Sequence, residues 1–226
     1  MATPIGNLED ISQRALRTLR EVSLVAAEDT RHTRRLLAHF GIAAAVTSLH
    51  EHNERTRAAA LLARLRAGES VAVVTDAGSP GVADPGYGVV RAAVAEGLRV
   101  ESVPGASAVI AALQVSGLPT DAFTFTGFLP PRPAARRRRL AELHERRETI
   151  VAFESPHRIA ACLEDLEAVW GARPIALARE LTKLHEQVLR GTAAEVRAAL
   201  RDEWKRGEIV LVLGGRTRAA RAGEPA

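Results

Sequence analysis

The chain has 226 residues of which 46% are hydrophobic, enough to bury a sizeable core in one or two domains. It has no apolar run near the roughly 20 residues that span a bilayer, and residues 1–30 lack the basic-then-apolar layout of a signal peptide, so the expectation is a soluble, cytoplasmic protein without a membrane partner. The formal charge of +4 hides an asymmetry: residues 1–121 carry 12 Arg against 13 Asp and Glu, whereas residues 122–226 carry 17 Arg and 2 Lys against 14, a field suited to a polyanion.

In chain order, Asp10 or Ser12 can cap a helix with Ala15, Leu16 and Leu19 on one face, and Leu24-Val25-Ala26-Ala27 reads as a buried strand. Thr30 can cap the next helix, with Leu36, Leu37 and Phe40 aligned and Gly41 beyond its end. Residues 46–49 suit a third strand. A helix over 54–67, a strand over 71–74, a helix from Gly86 to Ala95 and a strand over 98–103 complete a mostly parallel α/β sheet with helices on both faces. Gly117-Leu118-Pro119-Thr120-Asp121 punctuates the chain, which sets an N-terminal domain at 1–117 and a mixed-sheet α/β domain at 122–213. The second domain reads as a strand through Phe123, Phe125 and Phe128, a basic helix at 134–146, strand 149–153, helix 158–168, strand 175–179, a hairpin partner at 186–190, helix 193–203 and strand 209–213. Residues 214–226 have almost nothing to bury and read as a disordered tail. Cys162, the single cysteine, falls among Ile159, Leu163 and Leu166 and reads as a small core residue.

The chemistry concentrates where strands end. Strand 71–74 empties into Asp76-Ala77-Gly78-Ser79-Pro80-Gly81-Val82-Ala83-Asp84-Pro85-Gly86, a loop of placed acids and backbone-shaping residues of the kind that builds a small-molecule site at the carboxyl end of a sheet. Asp84 can instead cap the helix that follows. Thr3-Pro4-Ile5-Gly6-Asn7 and Pro104-Gly105-Ala106-Ser107 are comparable turns, each also readable as plain chain reversal before a helix. Neither GxGxxG nor GxxxxGK[ST] occurs, which disfavours NAD and ATP. Glu154-Ser155-Pro156-His157-Arg158, Glu28-Asp29-Thr30-Arg31-His32 and Arg179 to Glu186 are polar clusters at further strand ends; surface ion pairing is the plain alternative for the last. The histidines and the lone cysteine show no metal-ligand spacing, so no metal is expected. Arg132, Arg136, Arg137, Arg138, Arg139, Arg146 and Arg147 face only Glu142 and Glu145 and can hold nucleic-acid phosphates. Arg outnumbers Lys 29 to 2 over the chain, so general composition contributes to that bias.

Taken together, Ala2-Thr3-Pro4-Ile5-Gly6-Asn7-Leu8-Glu9-Asp10-Ile11, Ala27 to Arg31, Asp76 to Gly86, Pro104 to Ala108, Phe153 to Arg158 and Arg179 to Glu186 resemble, in register, the ribosomal RNA small subunit methyltransferase I group of the tetrapyrrole methylase superfamily. The resemblance covers residues 2 to about 213. It implies two α/β domains with S-adenosylmethionine between them, a homodimer, and 2′-O-methylation of cytidine 1402 in 16S ribosomal RNA of the 30S subunit. Carried onto this sequence, Pro4, Ile5, Gly6, Asp76, Ala77, Gly78, Ser79, Ser107, Ala108 and Phe153 resemble donor-binding positions. Arg31, Arg158 and the group-specific motifs fall to the ribose and RNA side. The acceptor of the 2′-hydroxyl proton is Glu154, Lys183 if neutral, or water. Relatives carry an apolar strand before the Ala-Thr-Pro-Ile-Gly-Asn motif where this chain has Met1 alone; a start assigned too late is the preferred explanation, and a chain that truly begins there is expected to fold or bind its donor less well. The alternatives are a methylase of a porphyrin-like substrate, against which the 4% aromatic content argues, and a non-catalytic RNA-binding or ribosome-assembly protein.

Overall fold

The computed structural model describes residues 1–201, 204 and 206–216. It separates into two compact units, one running from Met1 to Ser107 and a second beginning at Ala108.

The first unit contains α1 (Gln13–Glu21), β1 (Leu24–Ala27), α2 (Thr30–His39), β2 (Val46–Ser48), α3 (Glu54–Arg66), β3 (Val71–Val74) and α4 (Tyr87–Ala95). The strands form a parallel sheet in the order β2-β1-β3. Central β1 is buried throughout. Its alternate side chains explain the layering: Val25 and Ala27 pack with Leu16, Leu19 and Leu37, whereas Leu24 and Ala26 pack with Leu49, Leu61 and Val89. Helices therefore cover both faces. Ser12 caps α1 by accepting the Ala15 N–H at 3.1 Å. The cap of α2 is Asp29, which accepts the Arg31 N–H at 2.8 Å, and Thr30 is the first helical residue instead. Residues 98–103 do not form the expected strand. A strand requires a ladder, and this segment makes only isolated backbone bonds at its two ends, from the Leu98 N–H back to the Ala93 carbonyl and from the Ala2 N–H to the Val103 carbonyl, both at 3.0 Å. On the other side of the same short stub, the Met1 ammonium donates to the Val73 carbonyl at 2.9 Å.

The second unit contains α5 (Ala108–Ser116), β4 (Phe123–Phe128), α6 (Pro133–His144), β5 (Thr149–Glu154), α7 (Ile159–Trp170), β6 (Ile175–Arg179), β7 (Gln187–Gly191), α8 (Ala193–Ala198) and β8 (Ile209–Leu213). Its mixed sheet has the order β4-β5-β8-β6-β7, with β4 and β5 parallel and the other pairs antiparallel. Helix α5 packs on β6 and β8, so the division falls ahead of α5, whereas the glycine and proline punctuation at Gly117 marks only the end of that helix. Cys162 is fully buried beside Leu163 and Leu166 in the core under α7. Helix α8 ends at Ala198, shorter than the sequence pattern. The expected disordered tail starts too early at 214: Gly214 accepts the Trp170 indole N–H at 3.0 Å and donates to Pro174 at 2.9 Å, and the Arg216 N–H reaches the Arg146 carbonyl at 2.7 Å. Residues 217–226 of that tail lie outside the described residues. Among the described residues no helix is long and apolar enough to cross a membrane.

Candidate functional site

In the first unit, Ala27 pairs with Val74 in parallel register, so β1 and β3 release the chain at one edge. There the Asp76 N–H donates to the Glu28 carboxylate at 3.3 Å and the Asp29 N–H to Asp76 Oδ1 at 3.1 Å. Asp84 joins this group: burial, reinforced by the negative charges of Glu28 and Asp76, pushes its carboxyl up to about 6. Asp29 behaves oppositely, because hydrogen bonds from Arg31 hold it well below the usual carboxylate range. Arg31 remains largely exposed while gripping Asp29 at 2.7 and 3.1 Å.

The three turns read as donor segments converge. Thr3 and Gly78 exchange backbone hydrogen bonds at 2.9 and 3.1 Å, and the Thr3 hydroxyl donates to the Thr75 carbonyl at 3.1 Å. A side chain on Gly78, whose φ is +76°, would meet Ile5 at 3.5 Å and the Ala106 carbonyl at 3.9 Å; one on Gly105 would come to 3.0 Å from Ala2. Pro4 and Ile5 are buried and Gly6 is exposed, while Asp76, Ala77, Ser79 and Ser107 are partly exposed. Ala108 and Phe153 belong to the second unit. The far end of the 76–86 loop is fixed by a residue that sequence reasoning missed. Glu54 Oε1, at the start of α3, accepts the N–H groups of Gly86, Gly88 and Val89 at 3.1, 2.8 and 3.3 Å. It caps α4 from outside that helix, and Asp84 therefore does not do so.

In the second unit, Ile209 of β8 pairs with Glu154 on one side and Arg179 on the other, so the motifs after β5 and β6 leave the sheet at one edge. Phe153 stacks edge-on to Phe125 and Phe128, with centroids 4.9 and 5.5 Å apart. Glu154 does not present a free base: its side chain is 0% exposed, and Oε1 accepts from the Ser155 N–H at 2.6 Å and from two nitrogens of Arg158 at 2.8 and 2.6 Å. Lys183 is equally committed, donating to Glu180 at 2.9 Å and Glu208 at 3.1 Å. Burial alone would pull its ammonium down, but those two carboxylates outweigh it and hold the pKa above the ordinary value, which works against the neutral amine that a base role for Lys183 would need. The Lys183 loop is strained, with Glu180 at φ +52° and Thr182 at φ +66°.

The arginine run divides by helical position. Arg136 is 2% exposed, paired to Asp165 at 2.7 Å and donating to the Ala161 carbonyl at 3.3 Å, so it belongs to the α6–α7 core and cannot meet RNA. Arg137 is exposed while touching Asp165 at 3.2 Å. Arg139 is held by Glu142 and Thr126 at 3.1 and 3.0 Å. Arg138 is exposed and has no ion-pair partner among the described residues.

Residues 2–197 match the family described as Tetrapyrrole (Corrin/Porphyrin) Methylases. The chain belongs to the tetrapyrrole methylase family. Among curated tetrapyrrole methylase relatives, the "Ribosomal RNA small subunit methyltransferase I" of Xylella fastidiosa strain Temecula1 is 53% identical over 95% of this chain and 80% of its own length. The protein of that name from Pseudomonas aeruginosa is 50% identical over 95% and 77%, and that of Escherichia coli O157:H7 47% over 94% and 76%. The methylase fold also appears in solved structures at low identity. Diphthine synthase is 19% identical with a TM-score of 0.69, covering 93% of this chain and 87% of that one, and cobalt precorrin-4 methyltransferase is 21% identical with a TM-score of 0.68, covering 95% and 92%.

Proposed function

We propose that the protein is an S-adenosylmethionine-dependent methyltransferase that modifies the ribose 2′-oxygen of cytidine 1402 in 16S ribosomal RNA, acting on the small ribosomal subunit. The observation that carries this reading is the near-full-length identity of about half to proteins named as small-subunit ribosomal RNA methyltransferases. The first unit suits the donor. S-adenosylmethionine carries a sulfonium and an ammonium and supplies an activated methyl group; the clustered carboxyls of Glu28, Asp76 and Asp84, the last raised to about 6 by burial and by the other two, favour a cationic ligand.

Pro4, Ile5, Gly6, Asp76, Ala77, Gly78, Ser79 and Ser107 are the proposed donor contacts of the first unit, and the motif resemblance adds Ala108 and Phe153 from the second. Arg31, Arg137, Arg138 and Arg158 are the proposed RNA contacts. With Glu154 buried and Lys183 held as an ammonium, solvent water takes the 2′-hydroxyl proton, and Lys183 stabilises negative charge on the ribose side. The resemblance further supports a cytoplasmic homodimer, which light scattering would test.

The deciding experiment supplies labelled donor with 30S particles, naked 16S RNA or a porphyrin-like acceptor. Label on a ribose of the RNA is expected. Transfer to the macrocycle alone would replace this reading, and donor binding without transfer to any acceptor would favour a non-catalytic assembly role.

A further inference from the structure

The Glu154 carboxyl is buried where β5 ends, out of reach of a substrate hydroxyl. A carboxylate removed from water is retained at several kcal/mol of desolvation unless its oxygens are satisfied. Here they are satisfied unevenly. Oε1 takes the Ser155 N–H and both the Nε and one terminal nitrogen of Arg158, whereas buried Oε2 has no nitrogen or oxygen donor. The inner side of the carboxylate faces the core residue Cys162, whose thiol is pushed up by burial first and by Glu154 in addition. No substrate hydroxyl can reach it there.

What Glu154 does reach is Arg158. By gripping Nε and one terminal nitrogen together, it fixes the plane of the guanidinium and leaves the other terminal nitrogen directed away from the carboxylate. The turn beneath is also locked: the Arg158 N–H donates to the Ser155 carbonyl at 3.0 Å and the His157 N–H to the Ser155 hydroxyl at 3.3 Å. The Arg158 side chain is 30% exposed at the edge where β5 ends. The chain also leaves β4 there, since Phe128 pairs with Phe153, and it enters α6 through exposed Arg132. The acids at this edge are otherwise engaged, Glu180 and Glu208 by Lys183 and Glu186 by the Thr182 N–H at 2.6 Å.

We propose that Glu154 is a positioning residue that aims Arg158 at a phosphodiester of the substrate RNA. Arg158 is the contacting group, and Glu154 acts only through it. This rests on the RNA methyltransferase reading above.

The test uses the full chain with S-adenosylmethionine and 30S particles. In Glu154→Met the buried charge disappears with its acceptor, a replacement that preserves packing, and Arg158 becomes free to swing. KM for 30S particles should rise about tenfold, with kcat within about twofold and an unchanged pH–rate profile. Arg158→Ala should do the same, and the double variant should be no worse than Arg158→Ala alone. Arg158→Lys keeps the charge without the two-nitrogen grip and should fall with them; these Arg158 variants keep the test alive if Glu154→Met folds poorly. Donor affinity should be unchanged in all. A loss of kcat of about a hundredfold in Glu154→Met at constant KM, or loss of a limb of its pH profile, would make Glu154 the proton acceptor and overturn the proposal. Unchanged KM in Arg158→Ala would overturn it as well. Wild-type protein that fails to methylate the particles would instead sink the underlying functional reading.

Discussion

Replacing Arg136 should destabilise the second unit without removing an RNA contact. The guanidinium is 2% exposed and bonded to Asp165, itself 7% exposed at its side chain, across α6 and α7. Arg136→Met keeps the length of the aliphatic stem but strands a buried carboxylate, a change of about 3–5 kcal/mol. Arg137 remains 3.2 Å from the other Asp165 oxygen, so about 3 kcal/mol is expected, a large share of a typical stability of about 5–15 kcal/mol. Trp170 and Trp204 both lie in the core of the second unit, so tryptophan fluorescence during urea denaturation follows that unit alone. The transition should move to clearly lower urea. Adding Asp165→Leu should restore most of the loss, because a missing pair is tolerated better than a broken one. An unchanged midpoint in Arg136→Met, accompanied by weakened RNA binding, would refute this account and return Arg136 to the RNA surface.

Three further outcomes follow from other contacts. Arg138→Ala should leave stability within about 0.5 kcal/mol while reducing the salt dependence of RNA binding by about one counterion, read from affinity at several salt concentrations; an unchanged slope would remove Arg138 from the interface. Glu54→Ala removes the acceptor for Gly86, Gly88 and Val89 and should destabilise the first unit by about 1–2 kcal/mol, visible as faster hydrogen exchange at Gly88 and Val89. Asp84 is raised in the folded state to about 6, so the folded chain keeps a proton that the unfolded chain has released. Stability therefore falls as pH rises from about 4 to about 6, and the loss persists above that range. The shift corresponds to at most about 3 kcal/mol, reduced to about 1 kcal/mol by the solvent contact of a half-buried group. In donor-free protein, Asp84→Asn should raise the melting temperature near pH 8 and leave it unchanged near pH 4.

The elements were legible where one physical signal sufficed. Apolar runs at β1, β5 and β8 mark strands because both faces of each are buried, and Ser12 marks a helix start because its cap is local. The turns at residues 3–7, 76–86 and 104–107 were legible for a similar reason, since glycine and proline register backbone shape at the residue itself. Partnerships across the chain were not. Glu54 reads as an ordinary first-turn acid of α3, and nothing nearby announces that its oxygen serves α4. Arg136 shares its residue type with Arg137 and Arg138, and only the helical phase relative to Leu140 and Leu143, both buried, separates it from them. Glu154 carried the right signal, a polar group straight after a buried strand, but exposure decides between a base and an anchor, and exposure is a property of the folded chain.

The order of the second sheet has a consequence for synthesis. β8 is made last yet lies in the middle, between β5 and β6, with all five residues buried. A growing chain released only as far as β7 holds β4-β5 and β6-β7 as two separate two-stranded fragments with open edges. The first unit has every strand of its sheet in hand by Val74 and can fold while translation continues. The second must wait for Ile209 to Leu213 to leave the ribosomal tunnel, so a chain that stalls or is cut short before that strand yields a folded first unit tethered to aggregation-prone strands.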